Sequence, residues 1–84
     1  MQISVTTEDI YNGGCHPTDC PVALALQRAG FSWPSVNTWS IGFDTAPQSG
    51  TRTFRNTPES VKWFVWNYDN RDRPVRPFTF TLPV

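Results

Sequence analysis

Eighty-four residues with seven basic and seven acidic side chains carry zero formal net charge, which argues against a long nucleic acid held through its phosphates. A chain this short forms one domain, 1–84, and buries only about 60–65% of the surface its unfolded form exposes. The longest apolar run, residues 22–26, is far too short to span a bilayer. MQISVTTED has neither the basic nor the apolar segment of a signal peptide, so the expected compartment is the cytoplasm, where Cys15 and Cys20 stay reduced.

Residues 2–6 alternate, with Ile3 and Val5 on one face, and predict a short strand. Thr7 reads as the N-cap of one or two helical turns that carry Glu8 and Asp9 at their start and stop at Gly13-Gly14. Residues 20–29 predict a helix capped by Asp19 or Cys20, with Pro21 in its first turn and Gly30 left-handed after its end. Val22, Ala25, Leu26 and Ala29 form its apolar stripe. Residues 36–43 read as a strand with Trp39, Ile41 and Phe43 on a common face. With 51–55 they predict a β-hairpin joined by a turn-rich connection over 44–50.

The next helix starts with Thr57 as N-cap, Pro58 and Glu59, and runs to about Asp69. Val61, Phe64, Val65 and Tyr68 share its core arc; Trp63 and Trp66 fall on the far side with Glu59 and Asn70. Residues 78–82 alternate Phe78, Phe80 and Leu82 against threonines and predict the last strand. The order β-α-α-β-β-α-β describes a small α+β domain of about four strands, with helices packed on one face of the sheet. The other sheet face is a candidate subunit contact.

Cys15, His16 and Cys20, with Asp19, come nearest to a metal site. Zinc usually takes two spaced ligand pairs, and here one pair lacks its mate. Cys20 at a helix N-terminus is also a candidate for a lowered thiol pKa with His16 beside it, but no orienting third group is recognisable. The preferred reading makes Cys20 a small buried hydrophobe, and no catalytic residue, metal or cofactor is expected.

Arg71, Arg73 and Arg76, with Arg52 and Arg55 on the hairpin, could bind phosphate bidentately; the competing reading is a solvated face neutralised by Asp69 and Asp72. Trp63 and Trp66 form an apolar patch that a soluble monomer has reason to avoid, unless the 44–50 or 71–77 segments cover them. Trp33, beside Phe31 in the FSWP stretch, offers a second exposed aromatic cluster, against simple loop packing.

Two stretches, TTEDIYNGGCHPTDCPVALALQRAG and VKWFVWNYDNRDRPVRPFTFTL, resemble a family of small bacteriophage and bacterial proteins. The likeness lies in the helix motif Cys20-Pro21-Val22-Ala23-Leu24-Ala25-Leu26 and in a tail running from Tyr68-Asp69 to Val75, Pro77, Phe78 and Phe80. The chain departs from the pattern in a longer 30–57 region and in Asn70-Arg71, where a glycine is expected. The resemblance implies phage origin and an accessory role, and small phage proteins of this size often look like inhibitors of host defence. Joined to outward Trp and dispersed Arg, it leads to one expectation: capture of a small (cyclic) nucleotide immune signal by a homo-oligomer in the host cytoplasm, with no membrane partner. The alternative is an inhibitor that presents the Trp-rich helix to a host defence protein such as a CRISPR-Cas component; a purely structural homo-oligomer module is the third reading.

Overall fold

The computed structural model describes residues 1–44, 52–70 and 74–83. The first strand, β1 (Gln2–Val5), buries Ile3 and Val5 and exposes Gln2 and Ser4, the alternation read from sequence. It ends in a capping box one residue earlier than expected. Thr6, not Thr7, is the N-cap of α1 (Thr7–Asn12). Thr6 Oγ1 accepts from the Asp9 N–H at 3.2 Å, and Asp9 Oδ2 accepts from the Thr6 N–H at 2.9 Å. Two otherwise unpaired donors are satisfied reciprocally, which Asp9, three residues after Thr6, allows and Ile10, three residues after Thr7, does not.

Helix α2 (Pro21–Arg28) has Cys20 as its N-cap and Pro21 in its first turn. Gly30 closes it at φ +102°. The Phe31 N–H reaches the Leu26 carbonyl at 3.1 Å, and the Gly30 N–H reaches Gln27 at 3.0 Å. These are the paired bonds of a Schellman termination, which needs a left-handed residue at this point. Open space surrounds the Gly30 Cα, so Gly30→Ala tests backbone strain alone. We expect a loss of about 1–2 kcal/mol, read by urea unfolding with the m-value unchanged.

Five strands form two sheets, not one. β1 pairs antiparallel with β5 (Phe78–Thr81), placing Ile3 opposite Phe80 and Val5 opposite Phe78. β2 (Ser32–Val36), β3 (Ser40–Asp44) and β4 (Arg52–Asn56) form an antiparallel sheet in chain order. α2 packs against β1 of one sheet and β2 of the other. Ala23 and Ala25 let those backbones approach, while Val22 and Leu26 are fully buried. The α+β class is as the sequence indicates; the fifth strand and the division of the sheet are additions.

The added strand is β2, and it corrects the reading of 36–43 as one strand. The chain reverses at Asn37–Ser40, where the Asn37 N–H bonds the Ser40 carbonyl at 2.9 Å and Val36 pairs with Ile41. Ile41 and Phe43 face the core as expected, but Trp39 stands in the reversal and is exposed. Thr57 stabilises that turn: its hydroxyl donates to the Asn37 carbonyl at 2.7 Å, and its N–H to the Trp39 carbonyl at 3.3 Å. The residue expected to cap the next helix thus gives its hydroxyl proton to the turn, and that helix starts two residues later, at Glu59.

That helix, α3 (Glu59–Asn70), buries Val61, Phe64 and Val65, and Tyr68 Oη donates to the Gly13 carbonyl at 2.6 Å. The expected core stripe is thus the observed one. Among the described residues no helix is long and apolar enough to cross a membrane.

Candidate functional site

The far side of α3 carries Trp63 and Trp66, 62% and 58% exposed. With Thr38, Glu59 and Lys62 they line an open groove of about 470 Å³. Lys62 Nζ donates to Glu59 Oε1 at 3.3 Å, and Asn70 Nδ2 folds back onto the Trp66 carbonyl at 2.7 Å. Trp39, 72% exposed, lines a different cavity. Of the two segments considered as covers for these indoles, residues 45–51 and 71–73 lie outside the described residues.

Of the arginines considered from the sequence, Arg52, Arg55 and Arg76 do not line this groove. Arg71 and Arg73 lie outside the described residues, and Arg76 is exposed in the segment before β5. Arg55 turns to the chain end: its Nε donates to the Pro83 carbonyl at 2.7 Å and its Nη1 to the Phe54 carbonyl at 3.0 Å.

Arg52 occupies a different place. It joins Trp33, Pro34, Thr18 and Gln27 around a second groove of about 440 Å³. Trp33 is 77% exposed and holds φ +53°, a backbone region that a bulky side chain rarely adopts. The cause is local: a register shift between Ser32 and Ser35 breaks the β2–β3 ladder around Trp33-Pro34. Proline supplies no ladder donor, so it belongs at such an irregular edge.

The Arg52 side chain is positioned by its neighbours. Its Nη1 donates to Asp44 Oδ1 at 3.1 Å, and its guanidinium lies 5.9 Å from the Phe54 ring centroid. Phe54 in turn rests over Gly42, its partner in the ladder; a Cβ there would meet the ring at 2.8 Å. One ion pair uses one of five guanidinium N–H donors, and the aromatic support orients the rest. Phe54, Trp39, Gln27 and Thr18 were not picked out from the sequence. The Gly42–Phe54 register and the Asn37-Thr38 turn are the signals that could have found the first two.

A third cavity, about 150 Å³, is lined in part by Cys15, His16, Cys20, Trp39 and Asp69. Four possible ligands border it, yet among the described residues no three are arranged to hold a metal ion. Asp19, the other ligand considered, accepts from the His16 N–H at 2.9 Å and so serves the loop. Burial pushes the Cys20 thiol above its ordinary pKa, outweighing the N–H groups of Ala23 and Val22, and the charges of Asp69 and Asp19 push the same way. The lowered pKa considered as the alternative at the helix start is not found, because desolvation exceeds the helix-end effect, and Cys20 is buried as the preferred reading has it. Burial likewise raises the Asp69 carboxyl.

No known protein family, curated protein or solved structure matches this chain.

Proposed function

We propose that this domain binds a small nucleotide, stacking its base on Trp33 and holding its phosphate with Arg52. The observation that carries this reading is one groove bordered by an exposed indole and an aromatic-supported guanidinium. Gln27 adds a carboxamide able to donate to and accept from a base edge, and Thr18 adds a hydroxyl. The left-handed backbone at Trp33 supports the assignment, since such strain collects where a side chain must be presented for function. Asp44 neutralises part of the Arg52 charge, so stacking contributes at least as much to affinity as the phosphate contact. Zero net charge favours a mononucleotide or cyclic dinucleotide over a long strand.

Sequestration as the mode of action, and an anti-defence role in a phage, rest on the resemblance of the CPVALAL helix and the C-terminal tail. A protein with that role would withhold a nucleotide signal from its receptor by binding it.

The test is a titration with linear and cyclic mono- and dinucleotides, followed by tryptophan fluorescence and calorimetric heat. Trp33→Ala is expected to weaken binding about 10- to 100-fold, as base–aromatic stacking is worth roughly 1–3 kcal/mol. Arg52→Gln should weaken it less and flatten its salt dependence. Absence of heat and quenching across the panel would sink the reading, as would binding that Trp33→Ala leaves intact.

A further inference from the structure

We infer that Cys15 and Cys20 form a reversible redox site, in which a peroxide oxidises the exposed thiol and the buried one closes a disulfide onto it. The site shares no lining residue with the Trp33–Arg52 groove and stands apart from the nucleotide reading.

The loop between the two thiols is folded for closure. The Gly14 N–H donates to the Asp19 carbonyl at 2.9 Å, so the residue before Cys15 is bonded to the residue before Cys20. The Cys20 N–H donates to the His16 carbonyl at 3.0 Å, tying Cys20 to the residue after Cys15. The His16 N–H reaches Asp19 Oδ1 at 2.9 Å and holds the same fold through a side chain. Cys15 is thereby flanked on both sides by residues bonded to the 19–20 segment. That fold draws the two Cα atoms towards the roughly 4.4–6.8 Å that a disulfide spans. Gly14 permits the close approach, since a Cβ there would meet Asp19 Oδ2 at 2.5 Å.

Both cysteines border one cavity of about 150 Å³. This is below the roughly 300 Å³ at which pockets for drug-sized ligands begin. It admits hydrogen peroxide, whose two oxygens replace two waters of about 30 Å³ each. The thiols meet this space differently, because Cys15 is exposed while Cys20 is buried. Oxidant arriving from solvent therefore reaches Cys15 first. Burial, which raises the Cys20 thiol, keeps it protonated and inert until its partner sulfur is activated.

The Cys15 thiolate attacks one peroxide oxygen, the O–O bond breaks, and the departing hydroxide takes the thiol proton to become water. Cys15 is left as a sulfenic acid, oxidised by two electrons. Cys20 Sγ then attacks the Cys15 sulfur, and its proton leaves with the displaced hydroxide as a second water. Two thiols and one peroxide thus become one disulfide and two waters. A dithiol reductant reverses the change by exchange.

Peroxide added to the folded chain without denaturant, followed by intact mass and thiol titration, tests the inference. The wild type should lose both thiols and two hydrogens while staying a single chain, and recover them with dithiothreitol. Cys20→Ser should stop at a sulfenic acid, trapped by a cyclic diketone, or pass to a sulfinic acid that dithiothreitol does not reverse. Cys15→Ser should lose its remaining thiol at least about 10-fold more slowly than the wild type loses its first.

Gly14→Ala gives the discriminating result. By opening the Gly14–Asp19 contact it should slow ring closure and let the sulfenic acid accumulate. Thiols that pair only because they are near in sequence would ignore this substitution. Sulfinic acid at Cys15 beside an intact Cys20 thiol in the wild type overturns the inference, as does a disulfide between chains. So does closure at the wild-type rate in a Gly14→Ala chain whose circular dichroism is unchanged.

Discussion

Leu26→Ala is expected to cost about 3–4 kcal/mol, read as a fall in the urea midpoint with an unchanged m-value. Leu26 is fully buried on α2, the helix that packs against a strand of each sheet. Truncation there removes contacts on several sides and leaves a cavity that neither sheet can close alone. A domain of this length has a total stability of roughly 4–13 kcal/mol, so the loss is a large fraction of the whole. The next residue, Gln27, lines the Trp33–Arg52 groove. Nucleotide binding should therefore weaken in Leu26→Ala as the folded population falls, and recover when ligand excess restores it. A loss below about 1 kcal/mol would mean that α2 is not the shared core of both sheets.

The second large effect is expected at Asp9, whose carboxylate ties three elements together. Arg28 Nη1 and Nη2 donate to its two oxygens at 2.7 and 2.8 Å, and Arg28 Nη2 also reaches the Ser4 carbonyl at 2.7 Å. One guanidinium thus joins α2 to α1 and to β1. Asp9 is buried, while the Arg28 side chain is about half exposed. Asp9→Ala should lose about 2–3 kcal/mol at neutral pH, at the upper range for charge-assisted hydrogen bonds because two donors and the Thr6 N–H lose their acceptor together. Water receives the released guanidinium, which keeps the loss below that of a fully buried pair.

The same group predicts the acid response. Burial acts to raise the Asp9 carboxyl, but hydrogen bonds from Arg28 and Thr6, with the Arg28 charge, outweigh it and hold the pKa below its usual value. A depressed folded pKa means that the unfolded chain takes up the proton first. The stabilisation is complete above the unfolded value, about 3.9, and is lost as pH falls through the lower folded value. Asp69 acts in the opposite sense, since burial raises its carboxyl and its protonation favours the fold. The stability difference between wild type and Asp9→Ala isolates Asp9: it should be constant near neutral pH and shrink below about pH 4. A difference that stays flat on acidification would show that the ion pair does not contribute as described.

The elements visible in the sequence are those whose side chains alternate or repeat without interruption. β1, β5 and the core stripe of α3 each have an apolar period matching their geometry, and each is found where that period places it. The outward position of Trp63 and Trp66 follows from the same periodicity. β2 was invisible because Pro34 and a register shift break its alternation, and because its partner strand is fixed by a turn that Thr57 stabilises from twenty residues away. Thr57 illustrates the ambiguity: its sequence context marks an N-cap, but its hydroxyl is drawn to a carbonyl whose proximity only the folded chain creates.

The candidate site divides in the same way. The sequence by itself determined the aromatic surplus, the zero net charge, the α+β class and the exposed Trp face of α3, because these depend on composition and local period. Only the tertiary structure decided that Arg52 stands with Trp33 rather than with Trp63 and Trp66, and that Arg55 is tied to the chain end. It also decided that β1 pairs with β5 across almost the full length of the chain. These are non-local choices, set by which buried faces close the core around α2, and no short-range pattern encodes them. Trp63 and Trp66 could be read as outward from their spacing; that Arg52 stands with Trp33 required the fold.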